Sequence, residues 1–100
     1  MLYLTQLIYI KEGQEAVFDE FEAVAIPLIA KYRGSMLFRL RPAAKDFISN
    51  EIERPYEIHF VSFPETADFQ AFMADEERKQ FLHLKEASIR SSFLVKGEKL

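Results

Sequence analysis

Residue-by-residue hydrophobic alternation occurs four times along this chain, separated twice by helical periodicity, and that order leaves few folds open. Residues 2–10 set Leu2, Leu4, Gln6, Ile8 and Ile10 against Tyr3, Thr5, Leu7 and Tyr9, a branched and aromatic content that suits a strand. Lys11-Glu12-Gly13 breaks the pattern. Residues 14–32 then carry Phe18, Phe21, Ala25, Leu28 and Tyr32 at steps of three and four, the stripe of an amphipathic helix. Pro27 predicts a kink in it and Gly34 a C-terminal stop.

A second strand is expected over residues 35–41, a long loop over 42–55, and a third strand over 56–63, ended by Pro64. Thr66 or Asp68 is placed to cap a helix holding Phe69, Phe72 and Met73, and Asp75-Glu76-Glu77 opens another helical stretch. Residues 89–96 alternate again before Gly97. The order β-α-β-β-α-β predicts an α+β fold of the ferredoxin-like, split β-α-β kind. Both helical stretches then cover one face of an antiparallel sheet.

The chain has 100 residues, 49% of them hydrophobic, enough for one core, so residues 1–100 are read as a single domain. It contains no cysteine, which excludes disulfides, a thiol nucleophile and cysteine-based metal sites. The two histidines lack metal-ligand spacing, so no metal is expected. No P-loop, dinucleotide fingerprint or nucleophile elbow points to a cofactor or a familiar nucleophile, and none is expected. The formal charge of -3 is spread along the chain and argues against nucleic acid as a partner. With no basic leader and no membrane-length apolar run, a cytoplasmic protein is expected, without a membrane partner.

Covering one sheet face leaves a second set of residues, expected to comprise Tyr3, Thr5, Leu7, Tyr9, Leu37, Arg39, Arg41, Glu57, His59, Val61, Phe63, Arg90, Ser92 and Leu94. That face is too apolar for water and predicts a homodimer packed sheet to sheet. The polar groups on it would then line an enclosed space fit for a small anionic or aromatic ligand.

Phe21 to Gly34, Phe60 to Phe69 and Met73 to Glu77 resemble the DUF1330 proteins, small members of the dimeric α/β barrel superfamily. The similar features are a proline inside the first helix, a Tyr-x-Gly exit, and a strand ending in Phe-Pro followed by a helix and a short acidic turn. The resemblance implies a homodimer with a cavity between sheet and helix or in the barrel interior. It also implies kinship with cofactor-free monooxygenases of aromatic polyketides, and with proteins that bind haem or degrade small organic acids.

Glu57 and His59 lie two apart on one strand, hence on one face, where the carboxylate can orient the imidazole as a general base. Arg39 and Arg41 share a face and, with Arg90, could clamp a carboxylate; the plainer reading is a salt-bridged edge. Tyr3 and Tyr9 are candidate hydrogen-bond donors to a ligand, although strand aromatics usually serve packing. His83 fits a solvent-facing helix edge. Two function classes follow. One is a cofactor-free enzyme, monooxygenase or isomerase, acting on a small hydrophobic or aromatic acid; the other is a non-catalytic ligand-binding or assembly module.

Overall fold

A computed structural model describes residues 1–100. Its elements are β1 (Leu2–Ile10), α1 (Glu15–Lys31), β2 (Ser35–Leu40), β3 (Glu57–Phe63), α2 (Thr66–Met73), α3 (Glu76–Gln80), α4 (Leu82–Ser88) and β4 (Ile89–Gly97). A 3-10 turn at Ala44–Asp46 interrupts the loop between β2 and β3. The second helical stretch is broken into three because Asp75 caps α3 with its side chain and Phe81 leaves helical geometry between α3 and α4. The strands run in the order β2-β3-β1-β4, all antiparallel, with the helices on one face. This is the ferredoxin-like arrangement.

Gly13, at φ 79°, supplies the left-handed turn into α1. The helix then passes through Pro27 without ending. At its exit the Gly34 amide donates to the Ile29 carbonyl and the Arg33 amide to that of Ala30, the paired bonds of a Schellman motif. The left-handed residue is Arg33 (φ 64°), not the glycine. Gly34 is required for space instead, since a Cβ there would lie 2.6 Å from the Phe63 ring and 2.7 Å from Ile29 Cγ2. Gly34→Ala is expected to overpack this corner and cost about 1–3 kcal/mol, read as a lower urea midpoint at unchanged slope.

Under the helices, Leu4, Leu28, Ile29, Val61, Phe63 and Phe72 form the core. Asp75 ties the end of α1 to α3 beside it: its carboxylate accepts from Lys31 Nζ (2.9 Å) and Tyr32 Oη (2.5 Å), and from the Arg78 amide (2.9 Å). These bonds, from Tyr32 first, hold its carboxyl well below the usual range.

The faces differ from expectation on three strands. Leu4 opposes Val61, Gln6 opposes His59 and Ile8 opposes Glu57, so Glu57, His59, Val61 and Phe63 lie under the helices while Ile58 and Phe60 face away. Both faces of β3 are apolar enough that composition does not choose between them; pairing with β1 does. In β2 a bulge between Met36 and Phe38 turns Arg39 and Arg41 inward and Phe38 and Leu40 outward. In β4, a register shift near Ile10 puts Leu94 and Ser92 on the helix side and Phe93 and Val95 outside. The outer face is therefore more apolar than expected, with Phe38 and Phe93 50% and 53% exposed.

Candidate functional site

Alternation and register together draw a polar belt across the helix-covered side of the sheet. Arg39, His59 and Gln6 sit side by side on β2, β3 and β1, and Arg41 and Glu57 stand in the next row. Glu57 is fully buried and takes hydrogen bonds from Arg39 Nε (2.9 Å) and Arg41 Nε (2.6 Å), and from His59 Nε2. Burial pushes the Glu57 carboxyl up, but the bonds from His59, Arg39 and Arg41 outweigh it and bring it to about 2. An ionised carboxylate only accepts, so His59 Nε2 carries the proton and Nδ1 is left as the acceptor of the neutral ring.

From α1 the belt receives one more group. Glu22 is buried, its oxygen lies within 4.8 Å of the His59 and Glu57 ligand atoms, and no side chain or amide donates to it. Burial above all, with the nearby Glu57 charge, pushes its carboxyl above the usual range, against the opposing pull of His59, Arg39 and Arg78. Two carboxyls a few ångströms apart are thus driven in opposite directions, an arrangement typical of acid-base sites.

Glu22 and His59 face a cavity of about 100 Å³ between sheet and helices. Its walls are mostly apolar, from Phe21, Ile26, Met36, Val61, Phe69, Phe72 and Leu94, with Gln6, Arg78 and Lys85 as further polar groups. Glu22, His59 and Glu57 could also supply three metal-ligand atoms, but Glu57 is already saturated by two arginines, whose charges disfavour a cation there.

The structure joins Glu57, His59, Arg39 and Arg41, but beneath the helices and not on the free face, which corrects their expected location. The arginines are occupied: both bind Glu57, and Arg41 Nη2 also binds Asp19 at 2.5 Å. Tyr3, Tyr9 and Arg90 stand on the opposite side of the sheet, and none lines the cavity. Tyr3 stacks on Phe60 at 5.7 Å. Tyr9 donates to the Glu53 carbonyl (2.7 Å) and Arg90 pairs with the Glu53 carboxylate (2.6 Å), pinning the end of the long loop. His83 is exposed.

Four polar cavity residues were missed: Gln6, Glu22, Arg78 and Lys85. Glu22 reads as one of the acidic residues favoured near a helix start, yet it is four residues after Phe18 and three before Ala25, inside the apolar stripe. Arg78 follows Glu76-Glu77 and reads as a solvated helix charge; no pattern in the sequence marks it.

No family model matches the sequence, and no curated protein matches it. Among solved structures, the chain is similar to a protein of unknown function from Rhodopseudomonas palustris, at 12% identity, covering 99% of this chain and 82% of that one, with a TM-score of 0.82. It is similar to a dimeric ferredoxin-like protein of unknown function from Jannaschia sp. CCS1, at 18% identity, 98% of both chains and a TM-score of 0.71. A third neighbour, from Nitrosomonas europaea, is described provisionally as an antibiotic biosynthesis monooxygenase; it shares 12% identity over 100% of this chain and 99% of that one, with a TM-score of 0.75. At these identities the likeness establishes the ferredoxin-like fold alone.

Proposed function

We propose that this protein is a homodimeric, DUF1330-like enzyme that binds a small hydrophobic or aromatic acid in the helix-sheet cavity and moves a proton on it without a cofactor. The observation that carries this reading is the buried Glu22, free of hydrogen-bond donors, beside His59 at the polar end of an apolar cavity. Glu57, held ionised by two arginines, fixes His59 with Nδ1 as base. His59 takes a proton from a carbon acid, and Glu22, neutral more readily than an ordinary carboxyl, gives one to the enolate oxygen. The enol is then reprotonated at carbon, as in an isomerase; or, where Glu22 only hydrogen-bonds the enolate oxygen, the enolate carbon adds dioxygen and, once protonated, the resulting hydroperoxide loses water to leave a carbonyl, as in a monooxygenase. The apolar outer sheet face supports the homodimer, and the Jannaschia structure offers a dimeric precedent on the same fold.

The test is solvent deuterium incorporation at C3 of phenylpyruvate, followed by NMR. Wild type is expected to accelerate exchange over buffer, and His59→Gln to lose about a hundredfold or more of that acceleration. Glu22→Gln is expected to lose activity while gaining stability at neutral pH. The sign follows from the folded carboxyl being raised: above pH about 4.5 the native state must ionise a group that burial holds neutral, and glutamine removes that cost. Binding of phenylpyruvate without exchange would instead support a non-catalytic ligand-binding module.

A further inference from the structure

Most of the cations packed around the helices and sheet are already matched. Arg39 and Arg41 bind Glu57, Arg33 binds Asp68, Lys31 binds Asp75 and Arg90 binds Glu53. Arg78 and Lys85 form no ion pair, and both line the cavity. Arg78 is only 6% exposed. Its Nε has no hydrogen-bond partner, and Nη1 reaches only the Met73 carbonyl at a long 3.4 Å. The guanidinium is held over the Phe72 and Phe21 rings, at 5.3 and 5.8 Å, on a backbone fixed by Asp75. Glu22 and Asp75 attract Arg78 from a distance, but no anion bonds its guanidinium directly, and a buried guanidinium without a bonded anion is costly, with the second cation beside it adding repulsion.

Building on the cavity reading above, we propose that Arg78 and Lys85 are the anion anchor of the site. They take the carboxylate of a planar hydrophobic monoacid whose body lies against Phe69, Phe72 and Leu94. The choice of ligand follows from the surroundings. Guanidinium geometry matches a carboxylate, which it binds through two parallel hydrogen bonds. The remaining walls are apolar and the volume is small, so a single charge on an aromatic or aliphatic body fits better than a highly hydrated dianion. Burial lowers the pKa of both cations, and Arg78 adds to the effect on Lys85, against the weaker opposing pull of Glu22 on both, of Asp75 on Arg78 and of Glu86 on Lys85. Arg39 and Arg41, the clamp suggested by the sequence, serve Glu57 instead.

The experiment compares benzoate with neutral benzamide, by calorimetry or NMR titration, on wild type, Arg78→Gln and Lys85→Gln. Benzoate is expected to bind wild type more tightly than benzamide. Each variant should weaken benzoate by about tenfold to a hundredfold and leave benzamide nearly unchanged. Equal binding of the two probes to wild type, or a benzoate preference untouched by Lys85→Gln, overturns the anchor while leaving the cavity as a binding site. Failure of wild type to bind either probe overturns the cavity reading together with the anchor. Lys85 is only partly buried, so its variant decides the matter even where Arg78→Gln, which loses two aromatic contacts, does not fold.

Discussion

Glu57→Ala is expected to destabilise the protein by about 3 kcal/mol at neutral pH and to remove much of its acid sensitivity. The carboxylate is fully buried and holds three donors in place, so its loss leaves Arg39 and His59 without their bonded anion and Arg41 with only the more exposed Asp19. Breaking a buried ion pair costs roughly 3–5 kcal/mol. The lower end applies because Arg39 and Arg41 keep 35% and 41% of their side chains exposed and can turn to water. The pH dependence comes from the same contacts. Folding lowers the Glu57 pKa from 4.5 to about 2. Its contribution is therefore complete above pH 4.5 and is lost as the pH falls toward 2. A depression of that size is worth roughly 3 kcal/mol. Urea unfolding of wild type and variant between pH 7 and pH 2 checks this, and curves that stay parallel throughout the acid range would rule it out.

Phe60→Asp is expected to convert a dimer into a monomer, raising the dissociation constant by at least about a hundredfold. Phe60 stands in the middle of an aromatic row on the outer face, 5.3 Å from Phe38 and 5.7 Å from Tyr3. A carboxylate at the centre of a sheet-to-sheet interface would be desolvated with no counterion, and interface energy concentrates on central aromatic residues. In the monomer the same side chain points away from the helices, so the core packing of Val61 and Phe63 is untouched. Sedimentation equilibrium distinguishes the outcomes. A wild type already monomeric at micromolar concentration, or a variant that stays dimeric, would remove this face from the dimer proposal.

The fold was legible because period carries it: four alternating runs and one strong 3.6-residue stripe specify element order, and that order has few compact solutions. The pairing of Glu57 with His59 was legible for the same reason, since residues two apart on a strand share a face. Which face was not legible. Tyr56, Ile58 and Phe60 are as apolar as Val61 and Phe63, and the choice depends on opposition to Leu4 and Ile8 across strands distant in sequence. The bulge at residues 36–38 and the register shift at residues 9–10 reversed the reading of β2 and β4, since each inserts a residue that simple alternation cannot anticipate. Glu22 was hidden by its chemistry, because a carboxylate near a helix start has an ordinary explanation that does not require burial.

The alternation across β3 also bears on how this sequence can change in length. Each step along the strand switches between the side proposed to handle protons and the outward aromatic side, as at His59 and Phe60. One inserted or deleted residue in β3 would exchange the two surfaces, putting an imidazole where copies are proposed to meet and a phenyl ring where chemistry is proposed to occur. The loop over residues 42–55 carries no such phase; apart from its tie to Tyr9 and Arg90 at Glu53, it can gain or lose residues without moving either surface. Relatives of this protein should therefore differ in length there, and conserve the count from Glu57 to Phe63.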